Sequence, residues 1–460
     1  MGSCLAIRQL ALLEPGVGFK SLMGLTASPA AILASLIGES ALALDIDLQR
    51  YSVDGSIPKV AVFPFTNQEV SDVLKVASRE GWSVLPRGSG ALTALGGIPR
   101  HVDVVLGLNR LNGPIIHSPG DMTVVVGAGV PVYTLQKALA KEGQWLPLDP
   151  PRALHRTVGG VLATNLAGPL SMAYGTTRDM VLGMKVVNPS GIVTKSGGNV
   201  VKNVTGFDIT KVHIGAMGTL GVIIEASLKV SPLPKKDLTV TATFEFPRDA
   251  VNAARELAGQ MVTPQALEIA MPGGMTSNCV LYIRSLGTAS SVDDVLEKWS
   301  VLLRHAGGFN VRHMDRNEGS EAWEWLADFG WGPAFEQGLL LRIGCLPSNT
   351  EPLAVEVTNL ATRHNYELNM VISPVRGVLR CFFPGLHWDD TDITGEVVGH
   401  LRVLAGSMNG YAVVERCPVQ AKTIIDVWGQ IGVSLSLMIR LKQEMDPHSI
   451  LNPGRFVGGI

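Results

Sequence analysis

Hydrophobic and polar positions follow two different patterns along this chain. Up to about residue 232, short apolar runs are separated by glycine-rich loops, and segments 67–80 and 132–142 have the period of a helix. Beyond the linker 233–236, strand-like runs alternate with helix-period segments. The strand candidates are 238–246, 280–285, 339–343 and 378–383, and the helix candidates are 248–260, 292–305 and 352–364. This second pattern predicts a separate α+β unit with an antiparallel sheet, followed by a helical tail over 421–445.

The amino-acid composition limits the class of protein. Of 460 residues, 46% are hydrophobic and 17% are charged, which is typical of a globular chain. Because 38 basic residues stand against 40 acidic residues, the chain lacks the basic excess of a nucleic-acid-binding protein. No apolar run approaches the ~18 residues of a membrane span. Glu14, Pro15 and Gly16 interrupt the early segment where an export signal would lie, so we predict a cytoplasmic protein that reaches a membrane only through partners.

The cysteines are scattered and form no metal-binding motif. The five are Cys4, Cys279, Cys345, Cys381 and Cys417, and no two of them have the C-x-x-C spacing of zinc or iron–sulfur sites. We therefore expect small buried hydrophobic side chains and no cluster held by this chain alone.

Four glycine-rich clusters lie within about 135 residues of the first unit, at 87–92, 157–168, 175–179 and 215–221. Glycine lets backbone N–H groups approach phosphate oxygens without interference from a Cβ atom. The first cluster is not a P-loop, because no Gly-Lys-Ser/Thr follows it. Nor does it open a helix as a dinucleotide fingerprint would, since Pro99 follows shortly. Together the clusters predict one extended ligand that lies between two subdomains.

Several segments of the chain carry a family resemblance: PRGSGALTALGG, VGAGVPVYTLQKAL, TVGGVLATNLAG, YGTTRDMVLGMKVV, GGNVVKNVTGFDITKV and GAMGTLGVIIEASLKVSPLP. Over about residues 55–232 they resemble the FAD-binding domain of the vanillyl-alcohol-oxidase/p-cresol-methylhydroxylase superfamily. The tail LKQEMDPHSILNPGRFVGGI resembles the segment that brings this family's chain back to the flavin. KNVTGFD and the tail most resemble the E-type, FAD-binding subunit of glycolate oxidase.

The resemblance implies an α+β architecture. It consists of a two-subdomain p-cresol-methylhydroxylase-type (PCMH-type) FAD-binding domain, a cap domain with an antiparallel sheet, and a helical C-terminal tail that returns to the flavin. We divide the chain accordingly into an N-terminal extension (1–54), the FAD-binding domain (55–232), the α+β cap (233–420) and the C-terminal segment (421–460).

The resemblance also implies which residues contact FAD. The first pyrophosphate loop corresponds to 86–92, a second pyrophosphate and flavin contact to 157–168, and a strand beside the flavin or adenine to 218–223. The predicted FAD-contacting residues are Pro86, Arg87, Gly88, Ser89, Gly90, Ala91, Leu92, Thr157, Gly159, Gly160, Ala163, Thr164, Asn165, Gly168, Gly218, Thr219, Val222, Ile223, Asn452 and Arg455. Arg178 and Asp179, in the family's Tyr-Gly-x-x-Arg-Asp element, are interpreted as an internal ion pair that braces the loops.

Two departures from the family pattern shape the prediction. Many relatives carry a histidine in or near the first loop that bonds covalently to the flavin, whereas the loop here reads Gly-Ser-Gly-Ala-Leu. We therefore expect FAD to be bound non-covalently. D-lactate and D-2-hydroxyglutarate dehydrogenases of the superfamily have a cap segment of the type His-x-Gly-Asp-Gly-Asn with metal-binding histidines. This chain has no such segment, and its cap histidines are isolated, so we expect no metal site.

Hydride transfer from a 2-hydroxy acid to FAD requires a group that holds the substrate carboxylate and a base for the hydroxyl proton. Arginine suits a carboxylate because its planar fork matches the two oxygens. The cap offers Arg342, Arg376, Arg380 and Arg416, of which Arg342 and Arg380 lie on strand-like runs and are the principal catalytic candidates. His387 is the candidate base.

These observations leave several functions open. The favoured one is the FAD-binding subunit of a glycolate oxidase-like 2-hydroxy-acid dehydrogenase complex, in which the resemblance implies a sister flavoprotein subunit and an iron–sulfur subunit as partners. The alternatives are a self-sufficient FAD-dependent D-lactate or 2-hydroxy-acid dehydrogenase and a non-catalytic, electron-relaying flavoprotein subunit. A reductase like that acting on UDP-N-acetylenolpyruvoylglucosamine shares the FAD fold, but its tail and cap differ from those of this chain.

Overall fold

The structure is a computed structural model that describes residues 28–43, 45–199, 207–273, 278–335, 337–386 and 391–460. His387, the predicted base, lies outside the described residues, as does most of the KNVTGFD element.

The strands and helices of the first half alternate with loops that carry the glycine clusters. The strands are β1 (Leu42–Ala43), β2 (Val60–Val62), β3 (Val84–Arg87), β4 (Val104–Gly107), β5 (Ile116–Ser118), β6 (Thr123–Gly127), β7 (Gln144–Trp145), β8 (Val181–Val187), β9 (Val193–Gly197), β10 (Val222–Lys229) and β11 (Ser231–Pro232). The helices are α1 (Pro29–Ile37), α2 (Asn67–Glu80), α3 (Val132–Ala140), α4 (Val158–Thr164), α5 (Ser171–Tyr174), α6 (Thr177–Met180) and α7 (Thr210–His213).

Two sheets build the two subdomains of this half. The first has the order β1-β2-β4-β3, with β4 parallel to both β2 and β3, and α2 covers it with an apolar face. Helix α2 begins where the Thr66 side chain accepts a hydrogen bond from the Glu69 N–H and ends at the left-handed Gly81. The second sheet, β5-β6-β10-β8-β9, is antiparallel and packs against α3 and α4. Residues of the glycine clusters at 87–92, 157–168 and 215–221 meet where these two subdomains face each other.

The second half is one large antiparallel sheet with helices on both faces. Its strands are β12 (Lys236–Phe244), β13 (Ala266–Met271), β14 (Cys279–Gly287), β15 (Phe309–Met314), β16 (Gly338–Gly344), β17 (Asn369–Ser373), β18 (Val378–Pro384) and β19 (Tyr411–Arg416). The strand order is β15-β12-β14-β13-β17-β18-β16-β19, and every pair is antiparallel. The helices are α8 (Pro247–Ala258), α9 (Ala289–His305), α10 (Arg316–Ala327), α11 (Thr350–Arg363) and α12 (Thr391–Ser407). The α+β cap with an antiparallel sheet, predicted from the sequence, is confirmed.

The cap packs on the first half through a mixed apolar junction. Leu92, Leu95 and Met217 from the glycine loops meet Trp323 of α10 and Phe382 of β18 in one buried cluster. Apolar contact of this kind fixes the two halves against each other and closes the space between the first glycine loop and the cap sheet.

The predicted tail helix over 421–445 is wrong in its first half. The chain forms a short 3-10 turn at Gln420–Thr423 and then α13 only from Ser434 to Met445. Gly429 and Gly432 between them have φ values of 79° and 66°, a left-handed backbone that cannot continue a right-handed helix. Beyond α13, Leu451 forms a parallel bridge with Val84, so the tail adds to the edge of the first sheet.

Candidate functional site

A groove runs between the first glycine loop, α4 and the C-terminal tail. It consists of two adjoining cavities of about 630 Å³ and 410 Å³ that share a common wall of residues around Arg87 and Gly160. The first cavity is lined by Val53, Leu85, Pro86, Arg87, Gly88, Ser89, Gly90, Ala91, Leu92, Thr93, Arg156, Gly160, Ala163, Thr164, Met217, Asn452 and Arg455. The second reaches toward the second sheet and adds Leu108, Thr157, Gly159, Gly218, Gly221, Val222 and Ile223.

The glycines of the first loop are required by close packing. A Cβ atom on Gly88 would lie 2.1 Å from the Thr157 Oγ1, and one on Gly90 would lie 2.3 Å from the Arg87 guanidinium. Gly90 also has a φ of 80°. The guanidinium of Arg87 lies over the ring of Tyr51, 5.5 Å from its centroid, and is therefore held beside the loop.

Helix α4 is brought against the same loop by small residues. Thr157 caps it, since its Oγ1 accepts a hydrogen bond from the Gly160 N–H at 3.2 Å. Gly159 packs on Ala128, where a side chain would meet the Ala128 Cβ at 2.8 Å. The backbone of α4 therefore reaches the wall of the groove without intervening side chains.

The tail is fixed to the groove by buried polar contacts. Lys442 Nζ donates to the Asp446 carboxylate at 2.6 Å and to the backbone oxygens of Thr219 and Leu451 at 2.8 and 2.9 Å. Asn452, at the end of this network, has a φ of 46° and donates its Nδ2 to the Met217 oxygen at 2.5 Å. These contacts hold Asn452 in the wall of the first cavity.

A second buried network holds the loop that follows the first glycine cluster. The Asp54 carboxylate accepts from Lys422 Nζ at 2.9 Å and from Arg455 Nη1 at 3.1 Å. Lys422 also donates to the Ala94 oxygen at 2.7 Å, and Arg455 Nη2 donates to the Thr93 oxygen at 2.8 Å. Three parts of the chain that are distant in sequence therefore meet behind the first cavity.

The groove carries an excess of positive charge. Arg87, Arg156 and Arg455 line the first cavity, and none of the lining residues in the described part of the chain is acidic. Burial lowers the pKa of all three guanidinium groups, that of Arg156 to about 9, so each still carries its charge at neutral pH. The Asp54 carboxylate, bonded to both Lys422 and Arg455, offsets only part of this charge.

The groove also leaves hydrogen-bonding atoms for a ligand. Arg87 Nη1 and Asn452 Oδ1 are buried and have no partner among the described residues. Such atoms are costly unless a bound group satisfies them. FAD offers anionic pyrophosphate oxygens for the guanidinium donor and ring N–H groups for the amide acceptor, so the residues of the groove fit this cofactor.

Most of the residues predicted to contact FAD line this groove. Three of them do not line either cavity. Thr219 Oγ1 donates to the Ala216 oxygen at 2.7 Å, Gly168 packs against Asp149, and Asn165 ends α4 in a left-handed conformation.

Sequence reasoning missed several lining residues, of which Arg156 is the most important. The missed residues are Val53, Leu85, Thr93, Leu108, Arg156, Met217 and Gly221. Arg156 directly precedes the Thr-Val-Gly-Gly segment, and this adjacency to a predicted ligand contact was a signal that could have identified it.

A third, open cavity of about 720 Å³ lies between the first glycine loop and the cap. It is lined by Ala91, Thr93, Ala94, Arg152, Trp331, Gly332, Pro333 and Arg416. Because Ala91 and Thr93 also line the first cavity of the groove, the two spaces adjoin at this loop. We call this space the cap cavity.

The cap arginines proposed from the sequence differ in their surroundings. Arg342 forms a salt bridge with Glu415 at 2.8 Å, and Arg376 forms one with Glu268 at 2.9 Å. Arg380 lies opposite Arg342 in the sheet and donates to the backbone oxygens of Ala327 and Ala167 at 3.1 and 2.9 Å. None of these three lines the groove or the cap cavity, whereas Arg416 lines the cap cavity.

The expected ion pair between Arg178 and Asp179 is wrong. The Asp179 carboxylate instead accepts hydrogen bonds from the Thr176 N–H at 2.7 Å and from its Oγ1 at 2.8 Å. It therefore caps α6, a local role that a carboxylate at this position of a helix start commonly takes.

Neither a metal-binding cluster nor a membrane-spanning helix occurs among the described residues. No group of three or more His, Cys, Asp or Glu side chains there has an arrangement that could hold a metal ion. Within the same residues, no helix combines the length and the apolar character needed to cross a membrane.

Sequence comparison relates the chain to flavoproteins. A family described as an FAD binding domain matches residues 58–197. The glycolate oxidase subunit GlcD of Bacillus subtilis is 27% identical over 278 residues, which cover 57% of this chain and 59% of that protein. The mitochondrial D-lactate dehydrogenase [cytochrome] of Arabidopsis thaliana is 26% identical over 436 residues, which cover 87% of this chain and 74% of that protein. The chain thus spans about three fifths of the length of the glycolate oxidase subunit.

Structural comparison identifies the same architecture. A crystal structure of p-cresol methylhydroxylase with substrate bound superposes with a TM-score of 0.74, covering 93% of this chain and 96% of that chain at 17% sequence identity. At this identity the likeness concerns the fold alone.

Proposed function

Because this chain belongs to the vanillyl-alcohol-oxidase/p-cresol-methylhydroxylase family of FAD-binding proteins, we propose that its groove holds one FAD and that the protein oxidises a small 2-hydroxy acid. The observation that carries the proposal is the excess of positive charge in the groove, of which the Asp54 carboxylate offsets only part. Arg87, Arg156 and Arg455 line it without an acidic neighbour in the lining, which suits the anionic pyrophosphate of FAD.

The lining residues support non-covalent binding. Covalent attachment of a flavin requires a nucleophilic side chain such as His, Cys or Tyr at the ring. None of the residues that line the two cavities, all of them in the described part of the chain, is of these types. FAD is then retained by hydrogen bonds and charge, with Arg87 Nη1 as a donor and Asn452 Oδ1 as an acceptor.

The cap cavity is the proposed substrate site. When bound, FAD supplies the hydride acceptor. Arg416 faces this cavity beside the first glycine loop, and its planar fork suits the carboxylate of a 2-hydroxy acid. Its position favours Arg416 over Arg342 and Arg380 for this role, because neither of the latter two lines the groove or the cap cavity. Arg416 itself donates through Nη1 to the Phe335 backbone oxygen. His387 remains the predicted base for the hydroxyl proton.

We propose that the chain works as the FAD-binding subunit of a glycolate oxidase-like complex and passes electrons to an iron–sulfur partner. The similarity to a protein that is itself named a glycolate oxidase subunit supports this view. The competing function is a self-sufficient D-lactate dehydrogenase, and the similarity to the plant enzyme over 436 residues favours it. A non-catalytic subunit that only relays electrons is the third candidate.

Anaerobic bleaching of the flavin distinguishes these functions. We expect glycolate or D-lactate to reduce the flavin of the assembled complex. Arg416→Ala should raise the substrate concentration for half-reduction by about tenfold or more, because the substrate carboxylate loses one charge-assisted contact of about 1.5–3 kcal/mol. Stopped-flow absorbance of the flavin, recorded for the lone chain and for the co-expressed complex, provides the measurement.

Arg248→Ala is the matched control, since this arginine lies on the solvent side of α8 with an exposed side chain. Its half-reduction concentration should equal that of the unmodified protein. Rapid flavin reduction of the lone chain would refute the dependence on partners. If the flavin of Arg416→Ala were bleached at the same substrate concentration as that of the unmodified protein, the cap cavity would not be the substrate site.

A further inference from the structure

The N-terminal extension reaches the FAD groove at a tight turn. Val53 lines the first cavity, and it exchanges backbone hydrogen bonds of 3.0 and 2.9 Å with Ser56. Between these two residues, Asp54 and Gly55 have left-handed φ values of 48° and 82°. Positive φ at both central positions is typical of the type I′ turn, which an Asp-Gly pair favours. The sequence therefore determines where the extension turns back beside the wall of the groove.

This turn is firmly attached to the rest of the protein. The Asp54 side chain is only 5% exposed, and its carboxylate accepts hydrogen bonds from Lys422 and Arg455 of the C-terminal segment. Val53 is buried in an apolar cluster on the first sheet. Because both attachments are buried, the turn also holds Tyr51, two residues before Val53, in a fixed place.

The ring of Tyr51 lies under the guanidinium of Arg87. The guanidinium carbon is 5.5 Å from the centroid of the ring, within the distance at which an aromatic face attracts a cation. The ring of Phe63 packs against that of Tyr51 with centroids 5.4 Å apart. Arg87 Nη1 is buried without a hydrogen-bond partner among the described residues, so the direction of this donor depends on the surfaces that hold the guanidinium.

An aromatic face orients this cation without neutralising it. Burial lowers the pKa of Arg87, and the neighbouring Tyr51 acts in the opposite direction. A cation that has lost water gains more from a ring than an exposed cation does. Arg455, in contrast, is held by the Asp54 carboxylate, which offsets part of its charge. Arg87 therefore keeps its whole charge for an anionic ligand while its position is fixed.

We propose that Tyr51 is a positioning residue of the FAD site, which fixes the Arg87 guanidinium so that its buried Nη1–H donates to the pyrophosphate. The inference rests on the proposed function only for the presence of FAD in the groove. Tyr51 itself lines neither cavity of the groove, so it acts through Arg87. The N-terminal extension is then part of the cofactor site.

A double-mutant cycle on FAD affinity tests this role. The flavin is removed from the full-length protein, and the Kd for added FAD is measured by flavin fluorescence. Tyr51→Leu should raise the Kd by about three- to tenfold through the loss of one partly desolvated cation–π contact. Tyr51→Phe should stay within about twofold of the unmodified protein, because its ring keeps the aromatic face. In an Arg87→Gln background, Tyr51→Leu should change the Kd by less than about twofold, since no guanidinium remains to be positioned.

Tyr133→Leu is the matched control. The Lys137 ammonium lies 4.3 Å from the centroid of the Tyr133 ring on α3, and neither residue lines the groove. The FAD Kd of this variant should equal that of the unmodified protein. If Tyr51→Leu weakened FAD binding equally with and without Arg87, the ring would only pack in the apolar cluster, and the proposal would be wrong. An unchanged Kd in Tyr51→Leu would overturn it as well.

These measurements separate the inference from the proposed function. A protein that binds FAD but shows no coupling between Tyr51 and Arg87 would lose the positioning role and keep its cofactor. A protein that shows the coupling but is not bleached by glycolate or D-lactate would retain the role of Tyr51 and lose the proposed substrate.

Discussion

At the scale of single residues, the first glycine loop allows a sharp test of the groove. Gly90→Asp should weaken FAD binding by at least about tenfold, or ~1.4 kcal/mol. The new side chain would be strained at a φ of 80° and would meet the Arg87 guanidinium. Its carboxylate would either repel the pyrophosphate or pair with Arg87 and withdraw that cation from it. The flavin-to-protein absorbance ratio after gel filtration measures the loss.

The control for this change is Gly113→Asp. Gly113 is exposed, lies in the same domain and has open space around its Cβ position. This variant should retain its flavin completely. Normal occupancy in Gly90→Asp would mean that the loop does not hold the phosphates.

Single residues also show which roles could be predicted from the sequence and which could not. The residues of the glycine loop and its neighbours could be located because they form contiguous motifs, and most of them line one groove in the structure. The roles of the cap arginines could not, since each depends on a partner far along the chain. Arg342 is paired with Glu415, and Arg380 is bonded to the backbone of Ala167, 213 residues away. An isolated arginine in a sequence does not reveal whether its partner is protein or substrate.

At the scale of secondary-structure elements, α13 and the segment after it complete the groove. Lys442→Met should destabilise the protein by about 3–5 kcal/mol, because it leaves the buried Asp446 carboxylate without its cation. It should also lower FAD occupancy, since the same network holds Asn452 in the wall of the first cavity. Urea unfolding of the FAD-free protein, followed by circular dichroism, measures the first effect.

Lys141→Met serves as the comparison, because Lys141 is exposed at the end of α3. Its unfolding free energy should change by no more than about 0.5 kcal/mol. If Lys442→Met were equally mild, the buried pair would not be what attaches the tail.

Local signals located most elements of the chain but not their limits. The predicted helix over 67–80 coincides with α2, where a capping threonine and a left-handed glycine mark both ends. The predicted helix over 421–445 was too long, because the apolar periodicity continues through Gly429 and Gly432 while the backbone turns there. Backbone conformation at glycine depends on the surrounding fold and is only weakly encoded in the apolar pattern.

At the scale of the whole molecule, non-covalent binding predicts that FAD leaves when the fold is lost. Acid precipitation of the purified protein should release all of the flavin into the supernatant, since no nucleophilic side chain lines the groove in the described part of the chain. Added FAD should in turn raise the thermal midpoint, by an amount equivalent to about 2.7 kcal/mol at 100 times its Kd. Absorbance of supernatant and pellet, and a melting curve with added FAD, are the measurements. Yellow colour that stays in the pellet would contradict non-covalent binding.

The sequence predicted the fold class of the protein better than it predicted the cap cavity. Alternation of strands and helices was sufficient to predict the antiparallel cap, because the hydrophobic pattern of each segment indicates which of its faces is buried. The cap cavity could not be foreseen, since it forms only where the first glycine loop meets the turn around Trp331, some 240 residues later in the chain. Spaces between domains depend on packing that no single segment encodes.

The bridge between Leu451 and Val84 has a consequence for how the protein is made. A ribosome releases the last strand of the first sheet, which ends at Gly107, about 340 residues before it releases Leu451, the residue that adds to the edge of that sheet. At roughly 5–20 residues per second, this edge stays uncovered for about 17–70 s while the rest of the chain is synthesised. Because Asn452 and Arg455 complete the wall of the first cavity, we expect the groove to bind its ligand fully only after these residues have left the ribosome.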